Sequence, residues 1–228
     1  MNKIILALDT TDLKEAINIT SQIKDKIFTV KLGLEFFNAH GKRGVKKINE
    51  LGINNLMLDL KLNDIPKTVY KAIKALDDIN FSFLTIHGLG GKSMVSEAKK
   101  AADEIKSKPS IMMVTVLTAL NDKDLKEIGN NNSVALQVKK LSKIAKEMEV
   151  GVICAGHEVK VVRKIIGSNL LIFTPGIRMP GEDNDDQKRT CTPLESIKSG
   201  SDKIIMGRSL IKGDIKNNLN QVNNSIKI

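Results

Sequence analysis

The chain has 228 residues, 41% hydrophobic and 27% charged, with a mean hydropathy of −0.12, which excludes collagen-like, coiled-coil and disordered classes. Its net charge of +10 raises the question of nucleic-acid binding, yet only five of the 36 basic residues are Arg, aromatics make up 3% and Trp is absent. Lysines scattered over polar helix faces read as a solvated surface rather than a base-reading footprint, so no nucleic-acid partner is expected.

No apolar run approaches the roughly 18–20 residues of a membrane span, so no membrane partner is expected either. The opening MNKIILALDT has no signal-peptide pattern. Two cysteines, Cys154 and Cys191, in a chain long enough to build a core without disulfides fit a reducing cytoplasm.

Taken in chain order, short apolar runs alternate with longer stretches of helical period. Strands are expected at residues 4–8, 28–32, 56–60, 83–87, 111–116, 150–154, 170–173 and 203–206. Helices are expected at 12–26, with Thr10 or Thr11 as cap, and at 65–76, 93–105, 133–148, 157–166 and 193–198. Pro66 and Pro193 suit first helical turns, where the missing N–H costs little. Strand–helix alternation repeated eight times without a linker predicts one α/β domain over 1–228, a (β/α)8 TIM barrel. Two polar interruptions, 119–132 and 179–192, follow the fifth and seventh strands and so fall on the barrel rim that carries active sites. The polar tail 217–228 is expected to close the bottom or fray.

Polar residues at strand ends carry the chemistry. Asp9 ends the first strand, Lys31 lies inside the second, and Asp59 and Lys61 flank the end of the third. Residues two apart on a strand face the same way, so Asp59 and Lys61 project together, with Lys31 in reach. A charge in an apolar strand is costly unless paired, and alternating Lys and Asp, ending at Asp64, supplies the pairing. After the seventh and eighth strands come Thr174-Pro175-Gly176-Ile177-Arg178 and Met206-Gly207-Arg208-Ser209. Those two loops commonly bind phosphate in barrels; Gly207 permits close backbone approach, Arg208 supplies a fork of donors, and Arg178 and Gln187 are placed to reach in. His87 reads as a packed or hydrogen-bonded histidine, Cys154 as a buried apolar group and Cys191 as exposed. His, Cys and carboxylates show no metal-ligand spacing.

These strings resemble orotidine 5′-phosphate decarboxylase. The resemblance is carried by Ala7-Leu8-Asp9, Val30-Lys31-Leu32-Gly33, Asp59-Leu60-Lys61-Leu62-Asn63-Asp64-Ile65-Pro66-Lys67-Thr68-Val69, Thr174-Pro175-Gly176-Ile177-Arg178, Asp186-Gln187-Lys188-Arg189 and Met206-Gly207-Arg208-Ser209. It implies a homodimer that converts orotidine 5′-monophosphate to UMP and CO2 with no metal or organic cofactor, as the last step of de novo UMP synthesis. Lys61 would protonate C6 and Asp59 would lie beside the substrate carboxylate. Asp64 and Thr68 would arrive from the partner subunit, with Ile65 also at the substrate. Asp9 and Lys31 would contact the ribose, and Arg178, Gln187, Gly207 and Arg208 the phosphate. The family usually has Leu-Thr-Ser after the fifth strand; this chain has Leu117-Thr118-Ala119, which leaves Thr118 and backbone amides to read the pyrimidine.

Loss of CO2 from C6 leaves an electron pair in an sp² orbital that the ring cannot delocalise. Preorganised charge at Lys61 would stabilise it, and carboxylates beside that ammonium suit a proton donor rather than a base. A Mg²⁺-dependent sugar-phosphate decarboxylase or synthase of the same barrel group is the alternative. Those enzymes carry Glu at the position of Lys31, where an ammonium opposes a divalent cation.

Overall fold

The computed structural model describes residues 2–182 and 188–227. Eight parallel strands close on themselves in chain order: β1 (Ile4–Leu8), β2 (Thr29–Gly33), β3 (Leu56–Leu62), β4 (Phe83–His87), β5 (Ser110–Val114), β6 (Gly151–Ile153), β7 (Ile172–Thr174) and β8 (Lys203–Met206). β8 returns to β1 through the pairs from Ile4–Ile204 to Leu6–Met206. Around the barrel run α1 (Leu13–Ile23), α2 (Leu34–Asn49), α3 (Pro66–Lys74), α4 (Gly91–Glu104), α5 (Asp122–Glu127), α6 (Val134–Glu147), α7 (Val159–Ile166), α8 (Pro193–Lys198), α9 (Arg208–Ile211) and α10 (Ile215–Ser225). This is the expected (β/α)8 barrel.

Caps and side-chain pattern account for the helices. α1 begins at Asp12, whose carboxylate accepts the Lys14 and Glu15 N–H groups; Thr10 instead supports that cap by accepting from the Asp12 N–H. Pro66 and Pro193 open α3 and α8, as their fixed φ favours. Three segments are more helical than the sequence pattern showed. Residues 34–49 form α2, whose buried Phe36, Val45 and Ile48 are interrupted by a kink at Gly41, where φ is 55°, so the period is broken in sequence. The polar stretch after β5 contains α5, started by a capping box between Asn121 and Asp124. The tail forms α10, held by buried Leu219 and Val222.

Two apolar layers hold the fold. The larger lies between strands and helices; the smaller fills the barrel interior with Ile5, Met57, Phe83, Met112, Ile153, Phe173 and Ile205 among its members. Phe83 and Phe173 meet edge to face with centroids 5.1 Å apart, and Phe28 joins them at the lower end beneath the Lys203 ammonium. These rings fill the lower barrel, and the rim at the strand C-termini lies above them.

Candidate active site

A cavity of ≈ 680 Å³ opens at that rim. Its floor is the top of the inner apolar layer, including Ala7, Met57 and Val114, and its walls carry Asp9, Lys31, Asp59 and Lys61. Lys31 Nζ lies 3.0 Å from Asp59 Oδ2 and 3.4 Å from Asp9 Oδ1, and Lys61 Nζ lies 2.9 Å from Asp59 Oδ1. The four charges form one alternating chain across β1, β2 and β3. Gly33 makes room for it: a Cβ there would meet Asp9 Oδ1 at 3.0 Å and Lys31 Nζ at 3.2 Å.

Burial works against the charge on Asp59, but Lys31 and Lys61 outweigh it and hold the carboxyl at about 2. Burial likewise disfavours the Lys31 ammonium, and Asp59 and Asp9 more than offset it, raising the pKa. Asp59 and Lys31 are thus both ionised throughout the physiological range. His87, half-buried at the end of β4, accepts the Leu89 N–H at Nδ1, 3.3 Å away. Burial, with Lys61 nearby, pushes its pKa down. It is the hydrogen-bonded histidine that the sequence suggested.

Simple strand alternation does not bring Lys61 to the cavity. From Leu58 to Leu62, β3 advances four positions while β4 advances only two, from Leu84 to Ile86. Within this bulge Lys61 takes φ 46°, a left-handed conformation that is uncommon for a residue with a side chain. The expectation that Asp59 and Lys61 face the same space holds, by a different backbone path.

Arg178, Gly207 and Arg208, after β7 and β8, line the same cavity, as do Thr118 and Ala119 after β5. A Cβ on Gly207 would lie 3.4 Å from Ala7 O, so the backbone there runs against β1. The loop carrying Arg178 is pinned at its stem by a bridge between Ile177 and Cys191, with Arg178 N donating to Cys191 O at 3.0 Å. Cys191 is buried beneath Gly156 and not exposed as expected, because this bridge draws it inward; burial pushes its thiol up to about 11. Cys154 is also buried, as expected, and burial pushes its thiol up to about 12. Asp64, Ile65 and Thr68 do not line the cavity; Asp64 accepts the Ile65 N–H, and Ile65 is 66% exposed. Gln187 lies outside the described residues.

Residues 2–218 match the family model described as Orotidine 5′-phosphate decarboxylase / HUMPS family. The chain belongs to this family. It is 43% identical to orotidine 5′-phosphate decarboxylase of Wolbachia sp. subsp. Brugia malayi, a match covering 94% of each chain. The enzyme of the same name from Ehrlichia canis is 44% identical, over 92% of this chain and 90% of its own. The crystal structure of orotidine 5′-phosphate decarboxylase from Lactobacillus acidophilus superposes with a TM-score of 0.84, at 33% identity and 100% coverage of both chains.

Beyond the strings that resemble the family, the structure brings in residues that sequence reasoning passed over. Glu35, at the start of α2, lines the cavity, as do Val116 and Leu117 after β5. Thr85 touches both Asp59 and Lys61. Arg189 donates to the carbonyls of Val116 at 2.9 Å and Leu117 at 2.8 Å and pairs with Glu158. Of these, only Thr85 left a trace in sequence, as a polar residue in the apolar run of β4. Among the described residues no cluster of His, Cys, Asp and Glu is arranged to hold a metal ion.

Proposed function

We infer that this chain decarboxylates orotidine 5′-monophosphate to UMP and CO2 in pyrimidine biosynthesis with Lys61 as the proton donor. The carboxy-lyase activity follows from membership of the family and from named relatives at 43% and 44% identity. The observation that supports this chemistry is the ion-paired array Asp9–Lys31–Asp59–Lys61 in one cavity with Arg178 and Arg208.

In this reading the substrate phosphate lies against Arg178, Arg208 and the Gly207 backbone, with Gln187 contributing. Asp9 and Lys31 meet the ribose. Thr118 and neighbouring amides read the pyrimidine where Ala119 offers only a methyl group. The C6–carboxylate bond breaks heterolytically; CO2 departs and the electron pair remains at C6. Lys61 stabilises that charge and passes one ammonium proton to C6, becoming a neutral amine that solvent reprotonates. Asp59 orients Lys61 from the side where the departing carboxylate lay. Lys31 also distinguishes this reading from the Mg²⁺-dependent one: its ammonium bridges Asp9 and Asp59, where it opposes a divalent cation.

The same reading has the chain act as a single cytoplasmic domain, as a homodimer with neither nucleic acid nor membrane as partner. No helix among the described residues is long and apolar enough to cross a membrane. Asp64, Ile65 and Thr68 lie outside their own chain's cavity, and Ile65, Leu34 and Leu89 are exposed apolar side chains on the same rim. That arrangement supports donation of Asp64, Ile65 and Thr68 to a partner's cavity.

The test is to mix the purified protein with orotidine 5′-monophosphate and EDTA and follow the ultraviolet absorbance of the base. Turnover is expected for the wild type and nearly none for Lys61→Ala. A Lys61→Ala variant retaining more than about a tenth of kcat, a loss under ~1.4 kcal/mol, removes Lys61 from the role.

A further inference from the structure

The bulge in β3 separates Lys61 from ordinary pairing with β4, and one side chain fills the gap. Thr85, on β4, is fully buried and does not itself line the cavity. Its Oγ1 accepts the Lys61 backbone N–H at 2.9 Å and lies 2.9 Å from Asp59 Oδ1. The first contact uses the hydroxyl as acceptor. Its single proton is then directed to Asp59 Oδ1, because an ionised carboxylate only accepts. One hydroxyl therefore fixes both the carboxylate oxygen that holds the Lys61 ammonium and the main-chain atom from which that side chain departs.

We propose that Thr85 is a positioning residue for decarboxylation, holding Lys61 in its left-handed conformation and orienting Asp59 toward the Lys61 amine. A left-handed lysine persists only where its surroundings determine it, and this hydroxyl replaces the ladder partner that the bulge removes. Among the described residues, two of the donors to Asp59 are ammoniums on long stems, and the Thr85 hydroxyl is the short, stiff one. Without it, the carboxylate can rotate and carry the Lys61 amine off its line to C6. Thr85 touches neither cavity nor substrate, so its loss should lower the chemical step and leave binding alone.

The inference rests on the decarboxylase reading of the site, and its test separates the two. Thr85→Val keeps the shape and removes the hydroxyl. It is expected to lower kcat by about 10–100-fold with KM within about threefold of wild type, the pattern of a lost transition-state interaction. Thr85→Ser, which keeps the hydroxyl, is expected to hold kcat within about threefold of wild type. Should Thr85→Val fail to fold, Thr85→Ala replaces it, and the Thr85→Ser result must hold in any case. The proposal is overturned by a folded Thr85→Val or Thr85→Ala variant with wild-type kcat. It is equally overturned by a folded Thr85→Ser variant as slow as those two, which would mean that shape alone matters. Wild-type protein without turnover sinks the decarboxylase reading and this inference with it.

Discussion

Lys31 Nζ stands 3.0 Å from Asp59 Oδ2, and the two side chains are only 9% and 11% exposed. Such a pair is held by mutual charge in a place where either group alone would be costly. Lys31→Met leaves Asp59 and Asp9 facing each other without the cation between them. We expect kcat to fall by about 100-fold or more, the scale for removing one preorganised charged donor, with the melting temperature lowered. Steady-state kinetics and a thermal melt measure both. An unchanged kcat would place Lys31 outside the machinery.

The directions of the shifts at Asp59 and Lys31 fix a pH window. A carboxyl held at about 2 contributes stability that is fully present above its unfolded value near ~3.9 and is lost as pH falls towards 2. Lys31, raised above the ordinary 10.5, contributes stability that is fully present below that value and is lost as pH rises through its folded pKa. The melting temperature should therefore drop below about pH 4, and kcat should show no acid limb between about pH 5 and 8 from this pair. An acid limb in kcat/KM near pH ~6 is expected from the substrate phosphate. A kcat limb in the range 5–8 that vanishes in Asp59→Asn would contradict the assignment.

The proposed donation of Asp64 across a dimer interface has a measurable consequence. Lys61→Ala and Asp64→Asn homodimers should each be nearly inactive. A mixed dimer restores one whole site, combining Lys61 of one subunit with Asp64 of the other. Random re-association should recover about a quarter of wild-type activity, since half the dimers are mixed and half their sites are intact. No recovery after confirmed subunit exchange would place Asp64 with its own chain's Lys61.

Arg189 ties together three rim loops. It pairs with Glu158 after β6 and bonds the carbonyls of Val116 and Leu117 after β5, while belonging itself to the loop after β7. Glu158 is 12% exposed and also accepts the Ala155 N–H at 3.0 Å. Arg189→Ala should cost about 3 kcal/mol, roughly 6–12 °C in Tm, because it strands a buried carboxylate. Differential scanning calorimetry reads the shift. The double variant Arg189→Met, Glu158→Leu should recover part of it.

The barrel was legible because its strands are buried on both faces and therefore read as apolar runs, such as Ile4–Leu8 and Phe83–His87. α2 was not, since Gly41 breaks its period and the buried stripe reappears only after the kink. The charged residues of the array were visible because Lys31 and Asp59 contradict the apolar strands that contain them. The network behind them left only a faint mark: Thr85 is a polar residue in the apolar run of β4, but nothing local marks its hydroxyl as the partner of an amide 24 positions earlier in the chain.

Sequence by itself determined which residues are charged, which segments are apolar and how they alternate, and these suffice for a (β/α)8 barrel with Asp9, Lys31, Asp59 and Lys61 at strand ends. Only the tertiary structure decided that β3 bulges, that Lys61 turns through a left-handed conformation, that Thr85 braces Asp59 and Lys61, and that Arg189 ties the rim loops together. The physical reason is range. Periodicity and charge are properties of neighbouring residues, whereas a bulge or a brace depends on which strand lies alongside, and that is settled only when the barrel closes.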